Sequence, residues 1–248
     1  MANWSDPRPG LAPVGAAVDA RGVAYDAGLR AYMLSVYNYM ASAVLLTGIV
    51  AMVIAFSGAY VALLSPTGGL SGLGWLAMLS PLAIVFAMSF GQNRMSTGTL
   101  QALFWAYAGL LGVSLSTIFI AYTASSVAGA FFATAAGFAG LSLYGYTTQR
   151  NLSALGSFMI VGLIGIVVAM IFNAFIHSGP LALVISVLGV LVFAGLTAWD
   201  TQRTKSIYNV VAGTPQEGRA KIMSALNLYL DFINMFLFIL RLFGSSRN

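Results

Sequence analysis

"LNLYLDFINMFLFILRLFG", residues 226–244, is apolar enough to cross a bilayer, yet it carries a carboxylate, Asp231, near its middle. An aspartate at the centre of a spanning helix costs about 2.5–3.5 kcal/mol on insertion scales. At 100° per residue, Ser224, Asn227, Asp231, Asn234 and Arg241 share one arc of the helix. The remaining positions are mostly Leu, Ile, Phe and Met. Lipid offers a polar stripe no hydrogen bonds, so the stripe must face protein or water. This reading turns Asp231 toward the interior of a helical bundle.

The whole chain agrees with a membrane solvent. It has 248 residues, 59% hydrophobic and 7% charged, with a mean hydropathy of +0.89. Soluble domains carry roughly 25% charged residues. Seven apolar segments follow one another, at about 31–57, 72–92, 99–121, 125–145, 154–176, 181–204 and 222–243. Each is long enough for a spanning helix, and none shows the short alternation of a barrel strand. An all-α polytopic membrane protein is expected, with residues 1–28 as a flexible polar tail, 29–244 as the transmembrane domain and 245–248 as a short C-terminal tail. Pro81 should bend the second helix, since proline removes one backbone donor. "HSGP" (His177–Pro180) reads as a tight turn. The pairs Gly68/Gly72 and Gly137/Gly140 have helix-packing spacing.

Charge sets the orientation. Arg94, Arg150 and the group Arg203, Lys205, Arg219 and Lys221 all fall in connections on the side of the N-terminal tail. The other three connections carry no Lys or Arg. Basic loops stay in the cytoplasm, so the N-terminus is expected there. Arg241 and Arg247 break the rule if the last segment crosses; its length favours a crossing over a re-entrant turn. The net charge of +5 is thereby a topological signal and points to no nucleic-acid partner. With no cysteine in the chain, disulfides and thiolate chemistry are excluded.

One other acidic residue reaches membrane depth, Asp200 in "LTAWDTQRTKSIY". The sixth and seventh segments are joined by a short loop, so Asp200 and Asp231 can approach across antiparallel neighbours. Two carboxylates about 4 Å apart at an effective dielectric near 20 repel by about 4 kcal/mol. Such a pair prefers to hold a shared proton, a cation or a basic partner. Arg94, ending the second helix on the same side, is the expected cation. A plain structural role, in which Asn, Ser or Arg partners simply lock the helices, is the competing reading. Enzymatic alternatives fail on the residues present. No Gly-x-Gly-Asp precedes either aspartate, the only histidine, His177, lies in a turn, and Lys205 and Lys221 flank a loop instead of lying deep in a helix. No catalytic residue or cofactor is expected.

These residues resemble a known family. "LNLYLDFINMFLFILRLFG" matches the C-terminal signature of the transmembrane Bax inhibitor motif family. "WDTQR" (Trp199–Arg203) is similar to that family's sixth-helix aspartate region, and "YDAGLRAYMLSVYNYMA" is similar to the start of bacterial members. The resemblance covers about Leu29 to Gly244. It implies a seven-helix bundle with one central helix, in a bacterial cytoplasmic membrane. It also implies a pH-sensitive calcium leak in which Asp200 and Asp231 form the sensor and Arg94 pairs with the sixth-helix aspartate to favour the closed state; calcium held by the two aspartates would need Asn227, Asn234, carbonyls or water to complete the six to eight oxygens it takes. Some members carry an acidic residue within the second helix; here the stretch reads "LSPLAIVFAMSF". Other bacterial members lack the dyad and act as modulators of a membrane-bound ATP-dependent protease, which makes a non-conducting regulator of such a protease, or of a stress-response complex, the alternative.

Overall fold

The computed structural model describes residues 14–66 and 68–245, with side chains from residue 25 onward. Its helices are α1 (Val14–Phe56), α2 (Gly72–Gly91), α3 (Thr97–Leu115), the single turn α4 (Ile118–Ala121), α5 (Ala124–Thr147), α6 (Ser153–Ile176), α7 (Gly179–Val211) and α8 (Glu217–Phe243). Counting α3 and α4 together, seven stretches are long and apolar enough to cross a membrane. The all-α, seven-helix reading holds.

The boundaries shift in one consistent way. α1 begins at Val14, within the stretch read as tail, and residues 1–13 lie outside the described residues. α7 runs on to Val211 and α8 starts at Glu217, so Arg203, Lys205, Arg219 and Lys221 sit on helix ends and not in a loop. Hydropathy falls where lipid ends, but backbone hydrogen bonding continues past that point. Of the C-terminal tail, residues 246–248 lie outside the described residues.

Side-chain contacts fix which ends lie together. At the N-terminal end of α1, Tyr25 donates a hydrogen bond to Asn209 of α7. At the same end, Arg219 Nη1 donates to the Asn93 carbonyl in the α2–α3 turn at 3.1 Å. Gln202 Nε2 donates to the Arg150 carbonyl at 2.8 Å, and its Oε1 accepts from Leu152 N at 2.9 Å. At the opposite end, Ser245 N donates to Ser126 Oγ at 3.0 Å. α8 is a single 27-residue helix between these two ends, so the last segment runs the length of the bundle without turning back. Arg241 lies exposed at the far end, its guanidinium 5.7 Å from the Phe238 ring.

The last helix is the central one. α8 packs against α1, α3, α5 and α7. Its apolar window is 67% buried, against 44% or less for every other span and 6% for α6. A hydroxyl relay anchors it: Thr47 Oγ1 of α1 donates to the Ala108 carbonyl of α3 at 2.8 Å and lies 2.6 Å from the Tyr229 hydroxyl of α8. Tyr229 is fully buried and meets Tyr107 edge-on at 5.6 Å. The expected turn at His177–Pro180 is present: His177 closes α6 in the left-handed region, at φ 56°, and Ser178 caps α7.

Pro81 sits buried inside α2, which continues through it to Gly91. Proline has no N–H to give the carbonyl four residues back, that of Ala77. Ser114 of α3 supplies the donor instead, its hydroxyl bonding the Ala77 oxygen. In lipid an orphaned carbonyl has no water to turn to. Ser114→Ala is therefore expected to lower the stability of the purified protein by about 1 kcal/mol, read as a lower thermal midpoint in detergent. An unchanged midpoint would mean that the contact carries nothing.

Glycine packing differs from its sequence reading. Nothing stands within 4 Å of a side chain added at Gly72, Gly137 or Gly140, and Gly68 is a turn residue at φ +91°. Close approach occurs elsewhere: a Cβ at Gly145 of α5 would meet the Ala198 backbone of α7, and one at Gly156 of α6 would meet the Trp199 ring. Spacing alone does not reveal which helix face meets a neighbour.

Candidate functional site

Both glycines press α7 just before Asp200, at Ala198 and Trp199. Each residue of "WDTQR" is then used. Trp199 fills the space that Gly156 leaves. Thr201 Oγ1 donates to Ser142 Oγ of α5 at 3.3 Å, and Gln202 ties down the α5–α6 connection. Arg203 lies over the Trp199 ring at 5.3 Å, with Nη1 3.8 Å from Asp200 Oδ1. Asp200 thus sits on a helix pinned to α5 and α6 through its neighbours, with Arg203 beside it.

Asp231 comes from α8, seven residues after Ser224 and two after Tyr229. It is 4% exposed and Asp200 9%, so both carboxyl groups are buried. They lie within hydrogen-bonding distance of each other. Asp231 Oδ2 meets no N–H or O–H donor among the described residues. Two ionised carboxylates in this contact would repel by about 4 kcal/mol at an effective dielectric near 20, so the pair calls for a proton, a cation or a basic partner. The expected juxtaposition across α7 and α8 is present.

The supporting residues fall differently. Arg94 lies exposed in the α2–α3 turn and makes no ion pair among the described residues. The guanidinium beside Asp200 belongs to Arg203, three residues on along the same helix. That spacing was visible in "WDTQR", since residues three apart share a helix face. Asn234 Nδ2 donates to the Leu230 carbonyl of its own helix at 2.8 Å. Ser224 Oγ is buried near the Tyr32 hydroxyl without a closed hydrogen bond. Asn227 is half-buried. None of the three bonds to either carboxyl group. His177 is exposed at the far end of the bundle.

A second polar feature escaped the sequence reading. Thr197, Thr201, Thr204 and Tyr208 recur at four- and three-residue intervals on one face of α7, and all are buried. Tyr208 closes this stripe against Tyr32 of α1, with ring centroids 5.2 Å apart. Threonine inside an apolar helix reads as packing, so only its periodicity beside Asp200 marks the stripe.

The chemistry open to the pair is limited. No group of three or more His, Cys, Asp or Glu side chains is gathered anywhere among the described residues. Two carboxylates offer at most four oxygens, short of the six to eight of a calcium shell. Backbone carbonyls or water would have to supply the remaining oxygens of such a shell.

Comparison with known proteins gives a consistent result. The profile of the family described as "Inhibitor of apoptosis-promoting Bax1" matches residues 29–248. A protein of Rickettsia prowazekii is 45% identical over 90% of this chain and 93% of its own length. The inner membrane protein YbhL of Escherichia coli is 43% identical over 89% of this chain and 94% of its own. A protein of Caulobacter vibrioides is 40% identical over 92% and 94%.

Proposed function

The chain belongs to the Bax inhibitor-1 family, and on that premise we propose that it is a proton-gated calcium leak of the bacterial inner membrane. In this reading its N-terminal end faces the cytoplasm and calcium is the conducted ion, not a resident cofactor. The observation that carries it is the contact between the Asp200 and Asp231 carboxyl groups across α7 and α8. With one proton shared, the pair fastens the two helices and the bundle is closed. Loss of that proton leaves two adjacent negative charges, and Arg203 compensates Asp200 alone. Repulsion then favours a parted state in which cations enter between the helices. The sign follows: flux rises as pH rises.

The basic residues at the N-terminal end support the orientation. The inner-membrane assignment draws on the name of the Escherichia coli relative. No catalytic role is proposed for any residue.

The test is calcium entry into proteoliposomes between pH 6 and 8. Flux is expected to increase across that range, by roughly tenfold or more if repulsion of about 4 kcal/mol drives opening. Absence of flux at every pH would overturn the reading.

One observation favours a second reading. α2 carries no acidic residue from Gly72 to Gly91, which leaves the aspartate pair without a further carboxylate along an ion path. The protein would then be a non-conducting regulator of another membrane protein, such as a membrane-bound protease, with the pair as its conformational switch. A partner whose capture changes with pH, in the absence of flux, is the outcome expected of it.

A further inference from the structure

α1 and α5 both pack on α8, but not closely on each other. Between them runs a cleft formed by two cavities of about 860 and 370 Å³, meeting at Val44, Leu45, Phe131 and Phe232. The larger lies within the range of about 300–1,000 Å³ that accommodates small ligands. Its floor is the central helix, at Phe232, beside Asp231. Toward the far end the lining is apolar except for Thr47.

The N-terminal end is different. Arg30 lines the cleft there together with Tyr37, Ser142 and Tyr146. Arg30 is exposed and makes no ion pair among the described residues. Lys205 of α7 reaches the same corner, its Nζ donating to the Tyr146 carbonyl at 3.2 Å and lying 5.1 Å from the Tyr146 ring. Asp26 lies one turn before Arg30 on α1, and Glu217, at the same end of the bundle, is paired with Lys221 at 2.7 Å. A long apolar slot with cationic and aromatic groups at one mouth has the shape and polarity of an amphiphile.

We propose that this cleft is a binding site for one anionic phospholipid drawn from the leaflet on the N-terminal side. An acyl chain lies along the α1–α5 seam, and the phosphate sits between Arg30 and Lys205. Bilayer and cleft are similarly apolar, so the tail gives little preference. Selection comes from the headgroup charge, because basic groups at the membrane surface attract anionic lipids. The Tyr146 hydroxyl and ring suit the interfacial level at which such headgroups lie. The site is independent of whether ions pass through the protein.

The test is native mass spectrometry of the detergent-purified protein titrated with dioleoyl phosphatidylglycerol or dioleoyl phosphatidylcholine. One phosphatidylglycerol adduct is expected, at least tenfold tighter than the phosphatidylcholine adduct. Arg30→Gln, at an exposed position, should remove most of that preference, and Arg30→Gln with Lys205→Gln should abolish it. Ala139→Trp, which fills the cleft and leaves both charges in place, should prevent the adduct. Equal affinity for the two lipids would overturn the proposal, as would a phosphatidylglycerol adduct that survives in both Arg30→Gln/Lys205→Gln and Ala139→Trp. So would photocrosslinking from position 34 in native membranes that captures a protein helix and no lipid.

Discussion

Asp231→Asn is expected to abolish the pH dependence of calcium entry and to hold flux at its low-pH level. The amide of asparagine donates a hydrogen bond to Asp200 at any pH, so α7 and α8 stay fastened without a titratable proton. In the proposed gate, the wild-type pair loses that fastening when its shared proton leaves. The resulting repulsion of about 4 kcal/mol corresponds to about a thousandfold change in the opening equilibrium, at 1.4 kcal/mol per decade. The variant therefore separates from wild type most at pH 8 and least at pH 6, when both are measured in proteoliposomes of matched protein content. Removing a buried charge also relieves desolvation, so thermal stability should be kept or raised while the pH response disappears. An Asp231→Asn protein that retains the wild-type pH profile would remove the pair from the gate.

The second large effect lies one helix away. Gly145→Val puts a branched side chain where the Ala198 backbone already stands. Backbone cannot swing aside as a flexible side chain can, so α5 and α7 must part. Overpacking of this kind costs about 1–3 kcal/mol, and the strain falls two residues before Asp200. The variant is expected to melt well below wild type in detergent. It should also release flux at low pH, because the aspartates can no longer close. Gly137→Val, at a position with nothing within 4 Å, is the matched control and should behave as wild type. If both variants melt alike, helix propensity and not the α5–α7 contact is being measured.

Much of this was legible in the residues themselves. A carboxylate inside a 19-residue apolar stretch has few physical solutions, and the scarcity of charge left Asp200 as the only acidic partner at depth. Helix number followed from length and hydropathy for the same reason. What could not be read depends on rotation and neighbours. Arg94 and Arg203 are equally basic in the sequence; only the turn geometry carries Arg94 away, while the three-residue spacing keeps Arg203 on the face of Asp200. The packing glycines Gly145 and Gly156 look no different from the unopposed Gly137 and Gly140. The donor that Ser114 lends to Ala77 joins two helices, so neither segment alone announces it.

The central place of α8 also bears on how the protein is made. Six spans precede it in the chain, so they leave the ribosome before the helix around which they pack exists. Until α8 arrives, the inner faces of α1, α3, α5 and α7 lack their common partner, and the Thr47 hydroxyl has no Tyr229 to meet. Asp231 faces its insertion cost alone unless Asp200 is already beside it. With α7 and α8 joined only by residues 212–216, the two can enter the bilayer as one hairpin, the carboxyl pair already joined. Assembly of the bundle is then a late, closing event, and the group proposed to open the finished protein is also what lets its last helix in.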